Sequence, residues 1–143
     1  MRNSFDKAFE LTIGLEGKPS NDPNDPGRYT IWGLSSRYNK GVSPATTIDQ
    51  AKLIYLNSYW IPAGCDAAPY PMDICLFDSQ VNPQNDPKWN GGGNIEIMNL
   101  HPENWQEYNI LRMIRYMRNS KEIYKLGHIQ RVLILSQKIK GIL

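Results

Sequence analysis

The fold is decided by residues 4–33, whose sequence is SFDKAFELTIGLEGKPSNDPNDPGRYTIWG. In the first part, residues 4–15, apolar side chains recur every three to four positions, which predicts an amphipathic helix with Ser4 as its N-cap. Residues 17–33 are rich in Asn, Asp, Pro and Gly, the residues that set tight turns. The stretch therefore predicts a helix that ends near Glu16 and leads into a loop or β-hairpin lobe.

The polar lobe is followed by a clearly marked helix. A short strand is predicted over residues 29–32 and a brief helix over residues 34–39. Residues 47–50 (TIDQ) match the capping box that opens a helix. This helix must end before Pro62, because proline cannot continue the helical hydrogen bonds.

The second half of the chain is predicted to be helical as well. One helix begins at Pro71 and ends near Asn82, and two more run from about residue 102 to 117 and from about residue 120 to 139. The sum is a mainly α-helical single domain, residues 1–143, with a small Gly/Pro-rich lobe around residues 17–45.

Charge is distributed unevenly along the chain, although the net charge is only +2. Residues 1–108 carry eight Lys/Arg against thirteen Asp/Glu, whereas residues 109–143 carry eight Lys/Arg against one Glu. A basic C-terminal end on an acidic body indicates an anionic partner, such as a wall polymer, a nucleic acid or a membrane surface. A solvated basic helix face is the alternative.

The two cysteines, Cys65 and Cys75, do not form a disulfide framework or a zinc site. His101 and His128 lack metal-binding spacing to these thiols. We therefore expect two buried or half-buried free thiols, no metal and no cofactor. A catalytic Cys–His pair is the remaining alternative for these residues.

The N-terminus is not a secretory signal peptide, because Asp6, Lys7 and Glu10 interrupt its apolar pattern. No apolar run approaches the roughly 20 residues that cross a bilayer. We therefore expect synthesis in the cytoplasm, without a transmembrane segment. Any action outside the cytoplasm then requires release or export by another component.

Glu16 is the first candidate for chemistry. It lies at the C-terminal end of the predicted first helix, where the negative end of the helix dipole disfavours a second negative charge. Burial in a half-dry cleft beside Tyr29 or Trp32 would favour the protonated carboxyl in the same way. A protonated carboxyl is what a glycosidase uses to protonate a leaving glycosidic oxygen. The alternative is a solvated glutamate at a helix end.

A second carboxylate and a hydroxyl follow in the turn-rich stretch. Asp25 lies nine residues after Glu16, and Thr30 lies fourteen residues after it. A loop that folds back over the helix end would bring them opposite Glu16, where they would stabilise positive charge or hold the attacking water. For Asp22 and Asp25, hydrogen bonding within the Asn-Asp-Pro turns is an equally good interpretation.

These residues resemble a known family. Glu16-Gly17, residues 20–27, Thr30 and Gly33-Leu34 match without a gap the opening motif of the N-acetylmuramidases of glycoside hydrolase family 108, approximately E-G-G-Y-x-N-D-P-x-D-x-G-G-x-T-x-Y-G-I. Residues 51–60 resemble the family's helix that ends in Tyr-Trp, and residues 77–82 resemble its F-D-x-x-V-N segment. More distantly, the Glu–Asp–Thr order is similar to that of phage lysozymes.

The resemblance implies a lysozyme-like fold and hydrolysis of the bond between N-acetylmuramic acid and N-acetylglucosamine in bacterial peptidoglycan. It implies that Glu16 is the general acid, and the matched positions make Asp25 and Thr30 the other catalytic candidates. Candidates for binding the glycan are two polar and two aromatic side chains: Asp22, Asn82, Trp32 and Trp89. Asn82 lines the cleft or caps its helix, and the sequence leaves both interpretations open.

The chain also departs from the family pattern. Lys18, Pro19 and Arg28 replace residues that are glycine or aromatic in the motif, and bulky cations there would reshape one edge of the cleft. Family members usually continue into a peptidoglycan-binding segment, whereas residues 83–143 look like a shortened, basic helical part after a catalytic part at 1–82.

The functional hypothesis is thus a phage-type, endolysin-like muramidase that binds peptidoglycan as a monomer and acts on the cell wall after release or export. Alternatives are a lytic transglycosylase and a weakened relative that binds wall glycan without cleaving it. A nucleic-acid-binding protein ranks last, because the basic C-terminal part contains no DNA-reading motif. Retention or inversion at the anomeric carbon stays open, since it depends on carboxyl separation in space.

Overall fold

A computed structural model describes residues 2–15, 19, 29–82 and 104–143 of the protein. Most of these residues are helical, which confirms the mainly α fold class. The helices are α1 (Arg2–Leu15), α2 (Ile48–Tyr55), α3 (Met72–Val81), α4 (Trp105–Asn119) and α5 (Glu122–Ile142). Strands β1 (Thr30–Ile31) and β2 (Leu34–Ser35) form one short hairpin.

Helix α1 ends at Leu15, close to the predicted end, but it begins at Arg2, so Ser4 lies within the helix and the prediction of Ser4 as its N-cap was wrong. Its buried side is formed by Phe5, Ala8, Phe9 and Thr12, each exposed by 5% or less. These residues recur at the helical period, so one face of α1 enters the core while Asp6 and Glu10 stay exposed. The apolar pattern of residues 4–15 therefore predicted the helix and its buried face, but not the residue at which it starts.

The hairpin corrects the prediction for residues 34–39. Leu34 and Ser35 form β2, pairing with Ile31 and Thr30, and the residues after them form turns rather than the expected brief helix. The turn between the strands is Trp32-Gly33, and both residues have positive φ, 53° and 75°. Two such residues form the tight turn whose twist suits a hairpin. Leu34 is buried at 1% exposure and anchors this small sheet to the core.

Helix α2 begins with the predicted capping box. The Thr47 hydroxyl accepts from the Gln50 backbone N–H at 3.2 Å, and the Gln50 side chain accepts from the Thr47 N–H at 2.8 Å. A wider, π-helical turn, Leu56–Trp60, continues α2 and ends before Pro62 as expected. Trp60 is fully buried, and its indole N–H donates to Asp66 at 2.9 Å.

Helix α3 is the centre of the fold. It follows Pro71 directly, close to the predicted start, and every residue from Met72 to Ser79 is buried. An aromatic cluster surrounds it, in which Phe77 lies 5.8 Å from Phe5 and 5.6 Å from Trp60 between ring centroids. A helix that is buried on all sides must be mostly apolar, so its two aspartates require partners.

Helices α4 and α5 form an antiparallel pair that packs on α1 and α3. Asn104 caps α4 by accepting from the Glu107 backbone N–H at 2.9 Å, so this helix begins three residues later than the prediction from residue 102. Helix α5 extends to Ile142, past the predicted end at residue 139. Within the described residues, no helix is both long and apolar enough to cross a membrane.

Candidate active site

The C-terminal ends of α1 and α3 lie at the same side of the molecule. Ser4 hydrogen-bonds Asp73 near the start of the two helices, and the Thr12 hydroxyl donates to Asp78 Oδ1 at 3.2 Å near their ends. The two helices therefore run in the same direction. The chain accordingly leaves both helices at one end of the fold.

Asp78 is the buried junction of this end. Its Oδ2 lies 2.9 Å from Arg112 Nη2 of α4, and its Oδ1 lies 2.8 Å from Arg131 Nη2 of α5. With the Thr12 hydroxyl of α1, the carboxylate joins four helices at one point. The side chains of Asp78 and Arg112 are 0% and 1% exposed, so the pair is fully removed from water.

The protonation state of this junction follows from its charges. Burial alone would raise the pKa of Asp78, but the charges and hydrogen bonds of Arg112 and Arg131 hold it below its ordinary value. Burial disfavours the charge of Arg112, yet Tyr116 and Asp78 raise its pKa. The junction is thus a carboxylate with two guanidinium partners and not a proton donor.

Asn82 caps α3, one turn after Asp78. Its backbone N–H donates to the Asp78 carbonyl at 3.1 Å, and its carbonyl accepts from the Tyr116 hydroxyl. The bond to the Asp78 carbonyl confirms that Asn82 caps α3, as one interpretation of the sequence proposed. The bond from Tyr116 in addition fixes the backbone of Asn82 to α4. Its half-buried side chain stands at the same end of the fold as the end of α1. A contact of Asn82 with substrate therefore stays a prediction.

The hairpin positions two further candidates, Thr30 and Trp32. Thr30 is half-buried on β1 opposite Ser35. The Trp32 indole N–H donates to the Thr46 carbonyl at 2.9 Å, and the Trp32 carbonyl accepts from the Tyr55 hydroxyl at 2.7 Å. A tryptophan at positive φ is strained by about 1–2 kcal/mol, and these two bonds hold it in place. The side chain of Trp32 is partly exposed, so it is accessible to a ligand.

The other four candidates, Glu16, Asp22, Asp25 and Trp89, lie outside the described residues. Their roles stay predictions. The structure does describe the support on either side of the turn-rich segment: α1, which ends at Leu15, and the hairpin, which begins at Thr30.

The thiols are buried and unpaired, as expected, with Cys65 and Cys75 both at 0% exposure. Burial raises the pKa of each thiol to about 12. A nucleophilic cysteine needs a thiolate, so the thiols are unsuited to covalent catalysis. His128 instead hydrogen-bonds Ser120 at 2.7 Å and lies against the Tyr116 ring. A catalytic pair of His128 with either cysteine is therefore not supported. The described residues also contain no group of three potential metal ligands.

The cations of residues 109–143 do not all lie on a solvated helix face, which corrects that interpretation of the sequence. Of these eight cations, Arg112 and Arg115 are buried, and Arg131 is 11% exposed and paired with Asp78. Sequence reasoning also missed Asp78 as a key residue. The F-D-x-x-V-N segment contained the signal, since an aspartate in an otherwise apolar helix needs a buried partner.

A mainly helical fold with one small two-stranded sheet is consistent with the architecture of lysozyme-like glycosidases. The family comparison agrees: residues 9–83, about half of the chain, match the family described as Glycosyl hydrolase 108. The chain thus belongs to glycoside hydrolase family 108 and is a hydrolase of the glycosidase class. No curated protein and no solved structure matches it.

Proposed function

We propose that the protein is an N-acetylmuramidase that cleaves peptidoglycan between N-acetylmuramic acid and N-acetylglucosamine, with Glu16 as the general acid. The observation that carries this proposal is the position of Glu16 in the chain. It is included in the family match at 9–83, and it directly follows the last residue of α1. The final turns of α1 are fixed to the buried Asp78 junction through Thr12.

The rigid support of α1 matters for acid catalysis. A general acid must be held within hydrogen-bond reach of the leaving oxygen, about 2.6–3.2 Å, and small displacements lower the rate strongly. Thr12 precedes Glu16 by four residues in the sequence, and its hydroxyl is tied to a carboxylate held by two arginines. Asn82 follows Asp78 by the same interval. This arrangement supports a site formed between the segments that come after α1 and α3.

The local electrostatics has two opposing contributions. Helix α1 has no basic residue in its own last turn, so the negative end of its dipole favours a protonated carboxyl beside it. Lys138 of α5 supplies a cation instead: a Cβ placed on Gly14 would lie 3.3 Å from its Nζ. The lack of a side chain at Gly14 leaves room for this ammonium group. We infer that Lys138 limits how far the helix end favours the protonated Glu16.

Asp25 and Thr30 are proposed to complete the reaction. Thr30 lies on a hairpin that is fixed to α2 through Trp32 and Tyr55, so it offers a hydroxyl at a defined position. Asp25 would stabilise the positive charge of the transition state or orient water. Asp22, Trp32, Asn82 and Trp89 are proposed to bind the glycan.

The test is cleavage of purified cell walls by Glu16→Gln. We expect this variant to fold as the wild type does and to lose at least about a hundredfold in rate, the usual contribution of a general acid. Glu10→Gln is the matched control, because Glu10 is an exposed glutamate on the same helix whose ion pair is with Lys7, at 3.5 Å. Equal activity of wild type and Glu16→Gln would refute the assignment.

Analysis of the released fragments identifies the bond. A muramidase leaves N-acetylmuramic acid at the reducing end, whereas a lytic transglycosylase leaves an anhydro-muramyl end. A protein that sediments with the walls but releases no fragments would be a binding relative without turnover. We further propose that the protein works as a monomer on the cell wall after release or export.

A further inference from the structure

The outer side of the α4–α5 pair is unusually apolar. On α4, Ile110, Ile114 and Met117 are 52%, 41% and 55% exposed, and on α5, Leu126 and Leu133 are 67% and 50% exposed. We call these five residues the outer strip. A shallow groove of about 360 Å³ is lined by the three α4 residues of the strip together with Met113, Arg118 and Ile129. Ile129 lies three residues after Leu126 and four before Leu133, so all three lie on one face of α5.

Helix α5 has apolar residues on more than one of its faces. Its inner face contributes Val132, Leu135 and Ile139 to the core, all at 0% exposure. Leu126 and Leu133 lie on a different face, since they are spaced by two helical turns and are exposed. A helix with apolar residues on several sides is normally buried on several sides, and a large exposed apolar patch marks an interaction surface.

Exposed cations lie along the outer strip, and the one acidic residue of α5, Glu122, is already paired with Lys125 at 2.8 Å. Arg118 lines the groove next to Met117, and Lys140 follows Leu133 by seven residues, so it lies on the same face of α5. Lys121, in the connection between the helices, is exposed as well. Because Asp78 already pairs with Arg112 and Arg131, and Lys125 pairs with Glu122, these outer cations are among the C-terminal charges that stay exposed to a partner.

An apolar strip with cations beside it indicates what kind of partner it binds. A nucleic acid or a wall polymer would be bound by the cations alone and would leave the apolar strip exposed to water. A second copy of this chain would bring two basic surfaces face to face, which is unfavourable. A surface that is apolar at its centre and cationic at its rim fits a bilayer with anionic headgroups, where the side chains enter the acyl boundary and the cations meet the headgroups.

We propose that the outer strip binds the surface of an anionic lipid bilayer, with α4 and α5 lying in the plane of the interface. This interaction goes beyond the proposed glycosidase activity and does not depend on it. Helices α1 and α3 pack on the inner side of the pair, where Leu135 and Ile139 are buried in the core, whereas the outer strip lies on its exposed side.

The experiment is co-sedimentation of the full chain with vesicles of phosphatidylcholine alone or of phosphatidylcholine with phosphatidylglycerol. We expect binding to the anionic vesicles to exceed binding to the neutral vesicles by at least about tenfold, and to weaken as salt is added. Equal binding to both kinds of vesicle, or binding to neither, overturns the proposal.

Two variants test the surface itself. Ile114→Gln/Leu133→Gln should weaken anionic-vesicle binding by at least about tenfold, because both side chains would no longer enter the lipid. Leu53→Gln/Ile61→Gln is the matched control, since Leu53 and Ile61 are similarly exposed, 59% and 53%, but lie elsewhere. If the strip variant binds as tightly as the control, or if it converts a dimeric wild type into a monomer, the strip is not a lipid surface.

Substitution of single cations tests their contribution to vesicle binding, and a wall assay tests whether the active site is affected. Arg118→Gln and Lys140→Gln should each weaken binding by about fivefold, as expected for one cation near an anionic surface. All of these variants should cleave purified walls at the wild-type rate, because walls contain no bilayer. Loss of vesicle binding with full wall cleavage would therefore separate this surface from the active site. Unchanged vesicle binding by both charge variants would contradict the cationic rim.

Discussion

The hydroxyl of Thr12 donates to Oδ1 of Asp78 at 3.2 Å, inside a core where both side chains are fully buried. This bond joins α1 to a carboxylate that also holds Arg112 of α4 and Arg131 of α5. The C-terminal helices are therefore tied directly to the helix that leads to Glu16. We propose that the chain folds as one cooperative unit, with residues 83–143 as part of the enzyme and not as an appended binding module.

Asp78→Asn should unfold far more easily than the wild type. The substitution leaves the buried Arg112 beside a neutral group, and removing one partner of a buried ion pair costs about 3–5 kcal/mol. Urea denaturation measures the difference in the free energy of unfolding. The control is Asp6→Asn, whose carboxylate pairs with Lys52 at the surface and should contribute less than about 1 kcal/mol. Similar losses for the two variants would show that the junction is not a main source of stability.

Lys138→Gln should move the pH dependence of wall cleavage. A cation beside the end of α1 favours the ionised form of a nearby carboxyl, so its removal favours the protonated form. A general acid is active while protonated, and the alkaline limb of the rate profile should therefore move to higher pH. The measurement is the rate of wall cleavage against pH for the wild type, Lys138→Gln and the control Lys140→Gln. An unmoved limb, or one that moves equally in both variants, would exclude this role for Lys138.

Asp25→Asn should lose less activity than Glu16→Gln. The general acid contributes about a hundredfold or more, whereas the second carboxylate is proposed to stabilise charge or orient water. Parallel rate measurements on purified walls give the comparison, with thermal unfolding as the check that both variants fold. Equal losses would instead indicate a strict two-carboxylate mechanism.

The free energy of unfolding should decrease as the solution is acidified through the pH range in which the His128 imidazole takes up a proton. Burial, and then the charges of Arg131 and Arg112, lower the pKa of His128 from its ordinary value of 6.5. The folded protein thus favours the neutral imidazole, while the unfolded chain binds a proton below about pH 6.5. This contribution to stability is present above pH 6.5 and is lost as the pH falls toward the lowered folded pKa.

Denaturation midpoints between about pH 7.5 and about pH 5.5 test this linkage. The wild type should lose stability over this range more steeply than His128→Gln, which retains a polar side chain near Ser120 but does not titrate. The difference between the two slopes isolates His128 from other groups. Parallel slopes would show that His128 has the same pKa in the folded and unfolded states.

Local patterns in the sequence predicted each of the five long helices, although not the residues at which α1 and α4 begin. The spacing of Phe5, Ala8 and Phe9 defined α1, and the capping box at Thr47 defined the start of α2. The hairpin was misassigned at residues 34–39, because a short apolar run fits a helix or a strand equally well. The positive φ of Trp32, which makes the turn, is not evident from a residue of that size.

The candidate site was harder to predict from the sequence than the helices were. Its matched motif identified Glu16, Asp25 and Thr30, but their neighbours depend on contacts between residues far apart in the chain. Asp78 lies 34 residues before Arg112 and 53 residues before Arg131, and no local pattern links them. The same contacts place part of the C-terminal positive charge inside the core, where composition alone had assigned it to the surface.

The state of Cys65 and Cys75 has a consequence for where the protein can remain folded. Both thiols are buried and keep their protons, so neither exchanges with external disulfides nor is readily oxidised. The fold therefore does not need an oxidising environment to form, and it is not disturbed by one after it has formed. The proposed passage from a reducing cytosol to the cell wall would therefore leave the covalent structure of the protein unchanged.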